Sequence, residues 1–135
     1  MRSFSRSTLL VLALLPLWSC QPISGVLFDV HLPEGELPTR ELHVDVEATN
    51  GQGAAVTPDR TEISMTARGY IVEVAWFETT VDATVSVWVD VDGDGQRGAS
   101  DLVGALPGPM HLTGQGCEGI EHAAAPIVLR PLPAS

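Results

Sequence analysis

The stretch "TVDATVSVWVD", Thr80 to Asp90, alternates without a break. Val81, Ala83, Val85, Val87 and Val89 fall on one side, and Asp82, Thr84, Ser86, Trp88 and Asp90 on the other. Successive side chains of a strand point to opposite faces, so this period fits a half-buried strand and not a helix. The same period recurs along the chain. "GVLFDVHL" sets Val26, Phe28, Val30 and Leu32 against Leu27, Asp29 and His31, and "ELHVDVEA" sets Leu42, Val44, Val46 and Ala48 against His43, Asp45 and Glu47. "TEISMTA" places Ile63 and Met65 on one face, "GYIVEVAWFE" is apolar enough for a central strand packed on both sides, and "APIVLR" gives a short last strand. The count is six strands, with a weak seventh around Met110 to Leu112.

Turn-forming segments separate these runs: "PEGELP", "NGQGAAVTPD", an aspartate-rich loop and "PGP", with Arg68-Gly69 placed as a tight hairpin. Past residue 25, no window of eleven or more residues has a helical period. Short alternating strands with Gly, Pro and Asp punctuation predict an all-β chain, an antiparallel β-sandwich of about six to seven strands. Immunoglobulin-like and transthyretin-like sandwiches both suit the size, and the Cys…Trp…Cys spacing of antibody domains is missing. No repeat of 20–50 residues is present, which excludes a solenoid or propeller.

The first twenty residues, "MRSFSRSTLLVLALLPLWSC", carry Arg2 and Arg6, no acid, and an apolar run from Leu9 to Leu17 broken only by Pro16. That is the layout of a secretory signal, and the run is far short of the roughly 20 apolar residues of a membrane-spanning helix. "LWSC", with Leu17 three residues before Cys20 and Ser19 just before it, resembles the lipobox of bacterial lipoproteins, although Trp18 departs from the small or β-branched residue usual there. The resemblance implies a signal peptide over 1–19 and a diacylglycerol on Cys20. A tether over 20–25, a domain over 26–130 and a tail over 131–135 complete the expected organisation. The partner implied is the lipid bilayer, through acylated Cys20. Gln21, where inner-membrane retention would favour Asp, implies attachment at the outer membrane of the bacterial envelope.

Removal of residues 1–19 leaves one domain's worth of chain, with all 17 acids, no lysine and five arginines, hence a formal charge of 5 − 17 = −12. A surface this negative repels phosphate backbones, so no nucleic-acid partner is expected. Cys117 has no intrachain partner once Cys20 is acylated, so no disulfide framework braces the fold.

"DVDGDGQRGASD" places Asp90, Asp92, Asp94, Gly95, Gln96 and Asp101 at positions one, three, five, six, seven and twelve of a loop. This resembles the calcium loop of EF-hand and dockerin-type proteins. The resemblance implies Ca²⁺ held by the Asp90, Asp92 and Asp94 side chains, the Gln96 backbone carbonyl and the Asp101 carboxylate. A hard cation taking six to eight oxygens needs such crowding, and the carboxylates repel one another without it. Asp101 replaces the longer bidentate Glu, Arg97 stands where paired EF-hands carry an apolar residue, and a strand precedes the loop instead of a helix. The expected affinity is that of extracellular modules, roughly 10⁻⁴ to 10⁻³ M, which suits a static brace and not a sensor. The alternative is a loop rich in Asp and Gly for turn chemistry alone.

Three weaker constellations remain. His31 and His43, flanked by Asp29 and Asp45, would form a surface metal site if their strands paired in register, and otherwise are solvated strand residues. Cys117 and His122, with Glu118 and Glu121, carry a thiol-enzyme alternative that lacks any known signature; an ordinary cysteine and no enzymatic activity is the expectation. Trp88, on an otherwise polar face, is a possible ligand contact for a carbohydrate-binding accessory domain, or else is covered by a neighbour. The leading expectation is an envelope lipoprotein with a calcium-stabilised β-sandwich and a binding or structural role toward an unknown protein or glycan partner.

Overall fold

The computed structural model describes residues 21–36, 38, 40–114 and 119–132. The described chain is all-β, a sandwich of two sheets with no helix among the described residues. Ten strands follow in order: β1 (Ser24–His31), β2 (Leu42–Asn50), β3 (Arg60–Met65), β4 (Gly69–Trp76), β5 (Thr80–Val89), β6 (Leu102–Ala105), β7 (Met110–Thr113), β8 (Ile120–His122), β9 (Ile127–Val128) and β10 (Arg130–Pro131).

One sheet runs β3-β4-β1, and the free edge of β1 is shared by β8 near its start and β9 near its end. The other runs β2-β5, and the second edge of β5 is shared by β7 near its start and β6 near its end, with β10 beyond β6. The chain is therefore not uniformly antiparallel: β8 and β9 both lie parallel to β1. The extra strands beyond the expected six or seven are pieces of two to four residues, too short to show a period of two in a sequence.

The alternation read from the sequence builds the core. Val26, Phe28 and Val30 of β1 face Val81, Ala83, Val85, Val87 and Val89 of β5, all buried, and Val72, Val74 and Trp76 of β4 join them. Each fully buried valine contributes roughly 1.5–3 kcal/mol relative to exposure. β4 is central, as expected, yet it is not packed on both sides: Ile71 is exposed on its outer face and Glu73 is half-exposed, while Ala75 is fully covered there. Ile63 and Met65 share a face with Val72 and Tyr70 across the β3–β4 register, but β3 is an edge strand and both side chains stay exposed. The β3–β4 hairpin closes at Thr66–Gly69, where the Thr66 amide donates to the Gly69 carbonyl (2.9 Å) and the Gly69 amide to Thr66 Oγ1 (3.1 Å). A Cβ on Gly69 would sit 1.9 Å from the Val30 carbonyl oxygen, so no other residue fits.

Most connections end at one of two poles; the β6–β7 and β8–β9 connections instead lie midway along β5 and β1. Ile23–Ser24, Asn50–Ala55, Phe77–Thr80 and Thr113–Gly114 meet at one, tied by Ser24 Oγ donating to the Glu78 carbonyl (2.8 Å) and the Gly114 amide to the Thr79 carbonyl (2.7 Å). Residues 32–36 and 40–41, Thr66–Gly69, Val89–Leu102 and Val128–Leu132 meet at the other, where the Leu32 amide donates to the Arg68 carbonyl (2.9 Å) and Tyr70 Oη to the Arg40 carbonyl. Burial raises the Tyr70 hydroxyl above its ordinary pKa, which keeps it a donor. β1 begins at Ser24, already buried, two residues before the expected start of the domain at Val26.

Candidate metal centre

β5 delivers Asp90 to the second pole as its last inward residue, Val89, reaches the end of the core. The chain then turns twice at glycines with positive φ, Gly93 (75°) and Gly95 (77°), a conformation that residues with a Cβ rarely adopt. Each turn is capped by a carboxylate. Asp90 accepts from the Gly93 amide (3.0 Å) with one oxygen and from the Gly95 amide (2.7 Å) with the other. Asp92 accepts from the Asp94 amide (3.2 Å) and from Ser100 Oγ (2.8 Å), and Asp94 from the Gln96 amide (2.8 Å). Asp101 closes the loop, accepting from the Val91 amide (2.8 Å) and the Gly98 amide (2.7 Å).

These bonds draw one oxygen each of Asp90, Asp92, Asp94 and Asp101 to within 4.8 Å of one another. Asp101 is fully buried, Asp90 half-buried, and Asp92 and Asp94 exposed. Each carboxylate has about four lone-pair sites and spends only one or two on these hydrogen bonds, so acceptor capacity remains for a cation. The two ion pairs among the described residues, Arg60–Glu73 and His111–Asp82, both lie away from the loop. Arg40 donates to the Asp90 backbone carbonyl (3.4 Å) and not to a carboxylate. Four acids thus converge with no cationic side chain bound to them among the described residues.

The proton affinities record the crowding. The Ser100 hydroxyl, followed by the Asp94 amide, holds Asp92 down at about 2. For Asp94 the Gln96 amide also acts downward, yet partial desolvation and the adjoining Asp92 and Asp90 carboxylates outweigh it and raise the group from its ordinary value. The same cluster can hold a metal ion, which would replace the mutual repulsion with attraction.

The loop is anchored on three sides. Asp101 leads directly into β6, its carbonyl accepts from the Leu132 amide (3.2 Å), and β10 pairs with β6 through Leu102 and Val103. Arg97, at the position filled by an apolar residue in paired EF-hands, lines a shallow groove with Asp45, Glu47 and Ser86 on the outer face of β2 and β5. Ser100 is the contributor that spacing alone did not single out. Its hydroxyl lies eleven positions into the loop and reaches back to Asp92, a contact that depends on the loop's closure.

The other sequence candidates separate. His31 is on β1 and His43 on β2, strands of different sheets, so the in-register histidine pair expected for a surface metal site does not form. Trp88 points to the outer face but is buried: His43 lies directly opposite it in the β2–β5 register and stacks on the indole, ring centroids 4.1 Å apart and planes 16° from parallel. That contact covers the flat surface which a sugar ring would need. Cys20, Cys117 and Glu118 lie outside the described residues, while Glu121 and His122 are exposed on β8. An open groove of 610 Å³ lies over β2 between Val46, Ala48, Val56 and Pro109, away from the aspartate loop. Compared with protein-family models, with curated proteins and with solved structures, the chain matches none of them.

Proposed function

We propose that this chain is a lipid-anchored protein of the bacterial cell envelope whose β-sandwich is braced by one Ca²⁺ ion in the Asp90–Asp101 loop, with a binding or structural role. The observation that carries the calcium reading is the convergence of four carboxylates, one fully buried, with no cationic side chain bound to them among the described residues. Asp90, Asp92, Asp94 and Asp101 would supply carboxylate oxygens, and Gln96 its backbone carbonyl, to a hard cation that accepts six to eight irregularly placed oxygens. Mg²⁺ suits this set less well, because it demands a tighter octahedral shell and gives up water reluctantly. The lipid anchor rests on the "LWSC" sequence ending at Cys20.

Calorimetric titration of the purified mature protein tests the metal reading. The expected result is one Ca²⁺ per chain with an affinity in the extracellular range and markedly weaker Mg²⁺ binding. The Asp92→Ala and Asp101→Ala variants should lose the heat of binding. A heat signal for wild type no larger than for the two variants would remove calcium from the account.

A further inference from the structure

We infer that the pole of the sandwich opposite the aspartate loop is a membrane-contact surface, and that Phe77 enters the headgroup–acyl boundary of the bilayer that holds Cys20. The inference rests on the reading of Cys20 as the lipidated residue and adds to it a second, protein-borne contact.

Chain length fixes which end faces the lipid. Cys20 stands four residues before Ser24, so its backbone lies within about 14 Å of Ser24 even if the chain between is fully extended. Ser24 is immobilised: it is buried, its Oγ donates to the Glu78 carbonyl (2.8 Å), and it pairs with Trp76 in the β1–β4 register. An acyl anchor at Cys20 therefore brings the Phe77–Thr80 turn to the bilayer surface. In that turn Phe77 is 50% exposed, although the neighbouring Trp76 is fully buried. The Phe77 backbone is held outward by its amide, which donates to Asp59 Oδ2 (2.7 Å). An aromatic ring fixed in the open beside a lipid attachment point can cover its apolar surface in the interfacial zone of that membrane.

The rest of this pole is suited to close approach. The adjacent Asn50–Ala55 turn is exposed over Gly51–Ala55 and carries no charge. Among the described residues here, Asp59 is engaged by the Phe77 amide, and Glu78 Oε1 accepts from Asn50 Nδ2 (3.3 Å). The densest acidic cluster lies at the far end of β5, ten residues away at roughly 3.3 Å per residue, or about 30 Å, well beyond a Debye length from the lipid surface. The metal loop is thus directed away from the membrane.

The test uses the full lipidated protein carrying Cys117→Ser, reconstituted in mixed phosphatidylcholine and phosphatidylglycerol vesicles. Nitroxide labels are placed singly at Thr79→Cys, beside an intact Phe77, and at Glu34→Cys on the opposite pole. The expected result is a several-fold higher ratio of oxygen to nickel-chelate accessibility at position 79 than at position 34, with most of the difference lost on adding Phe77→Ser. Equal, water-like ratios at both positions on a protein whose intact mass includes the acyl groups would overturn the membrane-contact surface alone. An intact mass without acyl groups on Cys20 would overturn the anchor reading and this inference with it.

Discussion

The two poles of the sandwich solve the same local problem with different chemistry. At the Ser24 pole, Asn50 caps its turn by accepting from the Gln52 and Ala54 amides, both at 3.0 Å, through one neutral carboxamide oxygen. At the opposite pole Asp90 caps a comparable turn by accepting from the Gly93 and Gly95 amides, but with a charged group. Asp92, Asp94 and Asp101 repeat the device until four carboxylates stand within 4.8 Å. Asparagine could take the place of Asp94, which accepts one amide through one oxygen, but Asp90 and Asp101 each use both carboxylate oxygens. Turn chemistry therefore accounts for the Asn50 loop with a neutral group, and it does not account for gathering four charges in the Asp90–Asp101 loop. The proposed divalent cation would account for that excess. Among the ways to break this contrast, the largest effect is expected from a substitution that ought to be blind to calcium. Trp76→Ala, in the core beside the neutral pole, should cost about 3–5 kcal/mol of unfolding free energy in denaturant titrations. The loss should be equal with calcium and with chelator.

Asp101→Ala should come next and act on both terms. Without calcium it orphans the Val91 and Gly98 amides and costs about 1–3 kcal/mol, and with calcium the deficit should widen because the bound ion no longer contributes. Asp92→Ala sharpens the comparison further. Wild type should gain about 2.7 kcal/mol when free Ca²⁺ is a hundredfold above Kd, whereas the variant, already below wild type in chelator because it loses the bonds to the Asp94 amide and Ser100, should gain nothing on adding the ion. A calcium response surviving in Asp92→Ala would place the ion elsewhere.

The sequence predicted the core strands because β1 and β5 bury one complete face each, so their apolar residues must recur at every second position. The aspartate loop was legible for a similar reason: its function depends on local spacing, and all four acids lie within twelve residues. What escaped is set by partners distant in sequence. Ile63 and Met65 have an inward pattern but no opposing strand, so the pattern does not produce burial. Trp88 sits on a polar face and is covered only because the β2 register puts His43 across from it. The pieces β8, β9 and β10 form because the edges of β1 and β6 are open to them, not because their own two or three residues favour a strand.

The smallest expected effect concerns protons. Ser100 is the first cause of the low Asp92 value, so Ser100→Ala should raise the Asp92 midpoint from about 2 toward the ordinary carboxylate range in a carboxyl-detected NMR titration of calcium-free protein. The sign follows from linkage. Asp92 is depressed in the folded state, so its stabilising contribution is present above the ordinary carboxylate value and is lost as pH falls through about 2. Asp94 shifts the other way, so acidification from neutral pH should protonate it first and weaken calcium binding before Asp92 titrates.

Hydrogen exchange of the mature protein, followed amide by amide with calcium and with chelator, tests the ion brace most directly. Calcium should slow exchange at Val91, Gly95 and Gly98 and, through the Asp101 carbonyl, at Leu132, while Phe77 and Gly114 at the opposite pole stay unchanged. Identical exchange throughout the Asp90–Asp101 loop in several millimolar calcium and in chelator would contradict the account.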